Sequence, residues 1–143
     1  MPGLPLPPEL EAFLTLPNAA VVATLRADGS PHTVATWYDW EDGRALLNMD
    51  EGRVRLAQIR RDPRMALTVL GEDWDMHVSL LGRVVEIYDD VDLADIDRLA
   101  RRYSGAPFGR RDRRRVSAWL EPERWHGWNG PGPLRPDAST PGR

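Results

Sequence analysis

The chain has 143 residues, a formal net charge of −3 and no cysteine. This length predicts one domain with a substantial hydrophobic core. The mild negative charge argues against a general nucleic-acid or membrane-surface protein, and the missing cysteines exclude disulfides, thiolate nucleophiles and cysteine-based metal sites. All 19 basic residues are arginine, which excludes lysine Schiff-base chemistry and leaves planar, permanently charged groups for binding anions.

No apolar run approaches the roughly 18 residues that a membrane span needs, and the N-terminus has neither the basic start nor the apolar core of a signal peptide. We therefore expect a cytoplasmic protein that has no membrane partner. Residues 1–8 are rich in proline and are predicted to be a flexible N-terminus. A helix is predicted to begin at Pro8, where proline and acidic residues occupy the first turn, and to end at Pro17.

Six segments have the β-branched or alternating composition of strands, with Asp-Gly turns after the first two. They are Ala19–Arg26, Pro31–Trp40, Arg44–Met49, Met65–Leu70, Met76–Tyr88 and Val116–Leu120. A last short strand is predicted at 125–128, after a corner at Pro122, and Gly82 is expected to bend the long fifth strand. The second strand carries a threonine and an aromatic residue on each face, which suits a barrel wall that lines a ligand cleft.

Two helices interrupt the strands, one after Gly52 and one that begins at Asp89 and ends near Tyr103. The order of elements predicts a mostly β fold: a small antiparallel barrel with short helices outside it. We place this domain at residues 9–128 and predict a disordered tail at 129–143, where proline, glycine and polar residues dominate. Six tryptophans are many for this length, and some are expected at a subunit interface.

The segment Gly52–Arg64 carries five arginines in thirteen positions. The first turn of a helix has free backbone N–H groups and the positive end of the helix dipole, so it can bind an anion. Arg53 and Arg55 can add charge-assisted hydrogen bonds to the same phosphate only if the chain is still extended at Arg53, because residues two apart on a helix face different ways. The alternative is a solvated surface helix whose arginines bind nothing specific.

Other chemistry lacks its characteristic residues. The three histidines, at 32, 77 and 126, do not have metal-ligand spacing, so no metal site is predicted. Nucleophile-elbow, phosphate-loop and dinucleotide-binding motifs are absent. An arginine-rich segment beside strands with aromatic and hydroxyl side chains suits a phosphorylated, planar, aromatic cofactor.

The chain resembles the split β-barrel family of pyridoxamine 5'-phosphate oxidase-like flavoproteins, and within it the actinobacterial branch that uses the deazaflavin coenzyme F420. The segments that carry this resemblance are Ala23–His32, Gly52–Arg55 with Arg60–Arg64, Gly82–Val84 and Tyr103–Gly105. The resemblance implies a six-stranded antiparallel split β-barrel of the FMN-binding type and a homodimer with two cofactors at its interface. It also implies an oxidoreductase that transfers hydride between reduced F420 and an unsaturated or carbonyl small molecule.

The resemblance also implies roles for individual residues. Arg53 and Arg55 match the pair that holds the phosphate and acidic tail of the cofactor. The positions along the deazaflavin ring are Thr36, Trp37, Asn48 and Met49. His77 matches an aromatic position that reaches in from the partner subunit, with Trp74 nearby.

Two positions depart from the family pattern. Arg55 replaces a lysine, which keeps the charge, and Gln58 replaces an asparagine in the same cofactor-binding segment. These departures leave FMN as an alternative cofactor. No catalytic residue is assigned, although the ordinary pKa of histidine makes His77 the best candidate proton donor, and a packed structural histidine is the alternative.

Three alternatives to an F420-dependent reductase remain open. The first is an FMN-dependent oxidase or reductase on the same barrel. The second is a carrier protein that binds F420 without turnover. The third is nucleic-acid binding through the basic run 110–115, which the overall charge disfavours.

Overall fold

A computed structural model describes residues 1–130 and 132–136. It contains eight strands and three helices, with a short 3-10 turn at Val91–Leu93. The strands are β1 (Ala19–Leu25), β2 (Pro31–Thr36), β3 (Asp39–Glu41), β4 (Arg44–Asp50), β5 (Arg64–Leu70), β6 (Met76–Asp89), β7 (Arg115–Asn129) and β8 (Gly132–Pro133). The helices are α1 (Pro8–Leu14), α2 (Val54–Arg61) and α3 (Ala94–Ser104). None of the described helices is long and apolar enough to cross a membrane.

One antiparallel sheet has the order β2-β1-β5-β6-β7-β4-β3, and β8 pairs with β7. Although β2 and β3 are at opposite ends of this order, only Trp37 and Tyr38 connect them. Because the three Cα–Cα steps from Thr36 to Asp39 span roughly 11 Å at most, the sheet must curl until its two end strands meet. The result is a split barrel, and the predicted mostly β fold is confirmed.

The predicted strand Pro31–Trp40 is divided at this split, which is one reason why the structure has eight strands instead of six. Tyr38 is fully buried, and its hydroxyl donates hydrogen bonds to the carbonyls of Leu14 (2.8 Å) and Leu16 (3.1 Å). This anchor pulls the chain out of the β2 ladder. Trp37, the neighbouring residue, is left at the opening between the two sheet ends.

The predicted corner at Pro122 is instead an irregularity inside the long strand β7. The register between β6 and β7 shifts between Leu81 and Gly82, and Gly82 lies opposite Pro122. A proline is tolerated there because the ladder is already interrupted. A Cβ atom added at Gly82 would lie 2.0 Å from the carbonyl oxygen of Glu121, so the two backbones approach closely only because residue 82 has no side chain.

Segments near both ends of the described chain contact the barrel. In the predicted flexible N-terminus, the carbonyl of Gly3 accepts a hydrogen bond from Trp125 Nε1 (3.0 Å) and Leu6 is 8% exposed. In the predicted tail, β8 pairs with the end of β7, and the Leu134 N–H donates to the carbonyl of Gly127 (2.7 Å). Residue 131 and residues 137–143 lie outside the described part of the chain.

The hydrophobic core fills the interior of the curled sheet. Leu10 and Leu14 of α1 are fully buried, and α2 contributes Leu56 and Ile59. Strands alternate between this core and their outer face, because successive side chains point to opposite sides. The packing leaves α2 and α3 beside the opening between the sheet ends.

Candidate functional site

A cavity of about 550 Å³ lies at the split of the barrel. Strands β1, β2 and β4 form part of its wall, and α2, α3 and the beginning of β7 complete it. The lining residues are Pro17, Ala19, Ala20, Ala35, Thr36, Trp37, Asn48, Arg55, Ile96, Leu99, Tyr103, Phe108 and Arg115. None of these lining residues, all in the described part of the chain, is acidic. The cavity therefore combines an apolar body with a positively charged end.

The beginning of α2 supplies the first part of the positive end. Arg53 is the N-cap residue, with extended backbone angles (φ −71°, ψ 137°), and it makes no side-chain capping bond. The first turn of α2 contains no acidic residue. Helices are normally capped by Ser, Thr, Asp or Asn, whose oxygens accept the free N–H groups, whereas arginine has no acceptor. The N-terminus of α2 is thus available to an anion.

The backbone at Arg53 is extended, as it must be if Arg53 and Arg55 are to bind the same anion. Arg55 is half-buried, and in residues 1–130 and 132–136 its guanidinium has no ion pair. Burial lowers the pKa of Arg55 from its ordinary value, and the nearby positive charges of Arg53 and Arg115 lower it further. An anion between these groups would relieve that repulsion.

Arg115, at the start of β7, is a site residue that the sequence analysis did not assign. Its Nε donates to Asn48 Oδ1 (2.7 Å), and its guanidinium carbon lies 4.8 Å from the centroid of Phe108. Burial lowers its pKa, Asp50 and Asp90 oppose that effect, and Arg53 adds to it. Val116 points into the core, so Arg115, the residue before it on β7, points to the opposite face of the sheet, where Asn48 lies.

The other four arginines of the run 110–115 bind carboxylates. The pairs are Arg110 with Asp112 (3.1 Å), Arg111 with Asp97 (2.8 Å), Arg113 with Asp50 (2.9 Å) and Arg114 with Asp89. Most of the run is therefore used to attach its own loop to the domain.

The aromatic wall of the cavity comes from three elements. The Trp37 ring is stacked on Tyr103, with 5.5 Å between centroids and 7° between planes, and it meets Phe108 edge-on at 6.3 Å. Tyr103 lies in the last turn of α3, and its hydroxyl donates to the carbonyl of Asn18 (2.7 Å). The sequence indicates no binding role for Tyr103 or Phe108, because only the fold brings α3 and the loop after it beside the split.

Asp97 holds the loop that carries Phe108. Its Oδ1 accepts the Phe108 N–H (3.0 Å), and its two oxygens accept both terminal nitrogens of Arg111 (2.8 and 3.1 Å). The hydrogen bonds from Arg111 are the main reason that the pKa of Asp97 is below its ordinary value. One carboxylate therefore places an aromatic ring over the cavity.

The structure brings four of the predicted site residues together: Thr36, Trp37, Asn48 and Arg55 line the cavity, with Arg53 beside it. Met49 does not reach the cavity, because it follows Asn48 on a strand, points to the other face and is 1% exposed in the core. Gln58 is also buried and does not line the cavity. Its Oε1 accepts from Thr24 Oγ1 and lies 3.2 Å from His32 Nδ1, so it supports the packing of α2 on β1.

Trp74 lies in the loop between β5 and β6 and His77 lies at the start of β6, and neither lines the cavity of its own chain. Trp74 is 69% exposed and has a positive φ of 54°. The His77 ring is stacked on Trp128, 6.4 Å away. Their predicted position in the partner subunit's site remains a prediction.

A split barrel with an uncapped helix N-terminus and half-buried arginines at its opening is the arrangement that the structure shows. The family model of pyridoxamine 5'-phosphate oxidase matches residues 6–129, and the chain belongs to this family. No curated protein matches the sequence.

Solved structures of known proteins share the fold. An F420 reductase is 25% identical, with a TM-score of 0.78, over 84% of this chain and 98% of that one. The conserved hypothetical protein Rv2991 from Mycobacterium tuberculosis is 23% identical, with a TM-score of 0.70, over 96% of both chains. A putative pyridoxamine 5'-phosphate oxidase from Listeria innocua is 13% identical, with a TM-score of 0.67, over 85% of this chain and 97% of that one.

Proposed function

We propose that the protein is an F420-dependent reductase that acts on an unsaturated or carbonyl small molecule. The observation that carries this proposal is the pairing, in one cavity, of two half-buried arginines with an aromatic wall. Arg55 and Arg115 face an opening whose described lining has no carboxylate, and Trp37 with its aromatic neighbours forms another part of the same wall. Such a cavity suits a ligand with an anionic end and a flat ring.

The donor set fits the charged end of the cofactor. Free N–H groups at the start of α2 and the guanidinium groups of Arg53, Arg55 and Arg115 would bind the phosphate. The backbone at Thr36 and the ring of Trp37 would lie along the deazaflavin, and Asn48 would hold Arg115 in place through its amide oxygen.

When bound, F420 supplies hydride as a two-electron donor. The residues of this chain would fix the position of the ring and exclude water, and correct positioning is itself a large contribution to rate. Likeness to an F420 reductase favours F420 over FMN. FMN remains the alternative because the two cofactors share a phosphate and a flat ring.

We further propose that the active form is a homodimer. The outward residues of β1 and β5 are small or apolar: Val21, Ala23, Leu25, Ala66, Thr68 and Leu70. With Leu81, which is 41% exposed, several of them line a groove of about 440 Å³. Where a sheet is apolar on both faces, it tends to be covered by a second layer, here the partner subunit. The loop between β5 and β6, which carries Trp74, would then approach the partner's cavity.

Turnover distinguishes the reductase from a carrier. Protein is mixed anaerobically with reduced F420 and a panel of enones and quinones, and the return of the oxidised deazaflavin absorbance is followed. We expect oxidation with at least one acceptor, abolished by the double variant Arg55→Ala/Arg115→Ala and kept by Arg60→Ala on the exposed side of α2. Binding of F420 without oxidation across the whole panel would favour the carrier instead.

A further inference from the structure

A chain of hydrogen bonds lies behind the cavity, outside its lining except for Asn48 and Arg115. Asp95 Oδ2 accepts from the hydroxyls of Ser117 (2.6 Å) and Tyr88 (3.0 Å). Ser117 Oγ in turn lies 3.1 Å from Asn48 Nδ2. Ser117 is fully buried and Asn48 is 5% exposed, so these groups have little access to water.

The carboxylates of Asp95 and Asp90 lie at the two ends of this series of hydrogen bonds and fix the direction of each bond. A serine hydroxyl has one proton, and Ser117 donates it in the hydrogen bond to the Asp95 carboxylate, which can only accept. Ser117 Oγ can therefore only accept from Asn48, whose second N–H donates to Asp90 Oδ2 (3.0 Å). The amide orientation of an asparagine is decided by its hydrogen-bond network, and here the network leaves one choice.

With both N–H groups of Asn48 used, its oxygen faces β7 and accepts the Arg115 Nε–H at 2.7 Å. A flipped amide would place its oxygen against Asp90 and the lone pair of Ser117, and its NH₂ group against the N–H of Arg115. Both contacts are repulsive. The Tyr88 hydroxyl is oriented in the same way, because Trp119 Nε1 donates to it (2.9 Å) and its proton goes to Asp95.

We propose that Asp95 and Ser117 are positioning residues, which act through the Asn48 amide to hold the Arg115 guanidinium in the cavity. The stacking of Arg115 on Phe108 fixes one face of the guanidinium, and the Asn48 oxygen fixes its Nε edge. The two terminal nitrogens then remain for the ligand. Groups that orient a binding residue contribute to affinity without touching the ligand. The geometry of this arrangement stands by itself, whereas its role in ligand binding rests on the proposed function.

The test uses the full-length protein labelled with ¹⁵N-arginine. The Nε–H resonance of Arg115 is identified by its loss in Arg115→Lys. We expect Ser117→Ala to move this resonance and to speed its exchange with water by roughly tenfold, since one of the two acceptors that hold the Asn48 amide is lost. Ser79→Ala is the matched control: it removes a strand hydroxyl bonded to Thr68 (2.9 Å), away from the cavity, and should leave the Arg115 resonance unchanged.

A second variant, Asp95→Asn, makes the same point if Ser117→Ala fails to fold. An amide at position 95 can donate to Ser117 and reverse its hydroxyl, so the Arg115 resonance should move again. In either variant we expect the F420 dissociation constant to rise roughly three- to tenfold.

Two results would overturn the positioning role: an unchanged Arg115 resonance in the folded variants, or a moved resonance with unchanged F420 affinity. A wild-type protein that does not bind F420, in which Ser117→Ala still moves the Arg115 resonance, would instead remove the proposed cofactor and retain the positioning of Arg115.

Discussion

At the residue scale, the arginines that hold the fold differ in their partners from the two that line the cavity. Those that hold the fold bind carboxylates: Arg98 lies 2.7 Å from Asp39, and Arg111 binds Asp97. Arg55 and Arg115 are half-buried, yet neither forms an ion pair within the described residues. Because burying a cation without a counter-charge is unfavourable, the two arginines are better explained by a ligand than by stability.

Arg53 and Arg55 differ in exposure, and this difference predicts different contributions to binding. Arg55→Ala should weaken F420 binding by about 2 kcal/mol, the usual size of a partly buried charge-assisted hydrogen bond. Arg53→Ala should weaken F420 binding by less than Arg55→Ala does, and its effect should shrink at high salt, because Arg53 is exposed and its charge is screened by ions. Titration of each variant at two salt concentrations checks the order, with Arg60→Ala as the control. A larger effect from Arg53 than from Arg55 would contradict this account.

At the element scale, the local sequence predicts most strands, and it fails where the limits of a strand depend on the curvature of the whole sheet. The Asp-Gly turns and the β-branched segments place β1, β4 and β5 close to their observed limits. The break at Trp37 is not visible in the sequence, because it follows from joining the two ends of a curled sheet. Pro122 indicates a corner locally, whereas the partner strand offers Gly82 and an irregular register that accommodate the proline.

Gly82 should be irreplaceable for steric reasons. Gly82→Ala places a Cβ 2.0 Å from the Glu121 carbonyl, so the β6–β7 pairing must shift. We expect a loss of about 3 kcal/mol or more in the free energy of unfolding, measured by urea denaturation. Gly109→Ala is the control, since nothing lies within 4 Å of a Cβ at that position. Similar losses for both variants would show that the close approach of β6 and β7 is not what requires glycine.

The loop that carries Phe108 should loosen in acid. Arg111 lowers the pKa of Asp97 below its ordinary value of 3.8, so the stabilisation is complete above pH 3.8 and is lost as the pH falls through the lowered pKa. We compare the free energy of unfolding of the wild type and Asp97→Asn as a function of pH. The difference should be constant near neutral pH and should shrink below pH 3.8. A difference that does not change with pH would show that the Asp97 charge contributes nothing.

At the scale of the whole molecule, the sequence predicts the fold class and the family, and the structure adds how distant segments meet. Residues 1–8 are predicted to be flexible because they are rich in proline, and residues 129–143 are predicted to be disordered because proline, glycine and polar residues cannot build a core. Leu6 and Leu134 pack against the hydrophobic core, and the flexibility of the two segments stays a prediction. The cavity was predicted in part. The family resemblance implies Thr36, Trp37, Asn48 and Arg55, which line the cavity, whereas Tyr103, Phe108 and Arg115 line it because α3 and β7 pack beside the split.

The proposed dimer predicts that one outer face of the sheet is essential for association. The wild type should sediment as a dimer, and Leu81→Asp should shift it toward the monomer by placing a charge in the apolar groove. Val85→Asp is the control: it lies on the same strand with nearly the same exposure, 40% against 41%, but outside that groove. A monomeric wild type, or equal effects of the two changes, would remove this interface.

The central claim is that this cavity binds F420 through Arg55 and Arg115, and an equilibrium titration followed by tryptophan fluorescence tests it most directly. We expect one F420 per chain, quenching that is lost in Trp37→Leu, and binding at least roughly tenfold tighter than that of FMN. The double variant Arg55→Ala/Arg115→Ala should weaken F420 binding by roughly 300-fold or more, and Arg60→Ala should not. Absence of saturable F420 binding, or an affinity that the double variant leaves unchanged, would contradict the account.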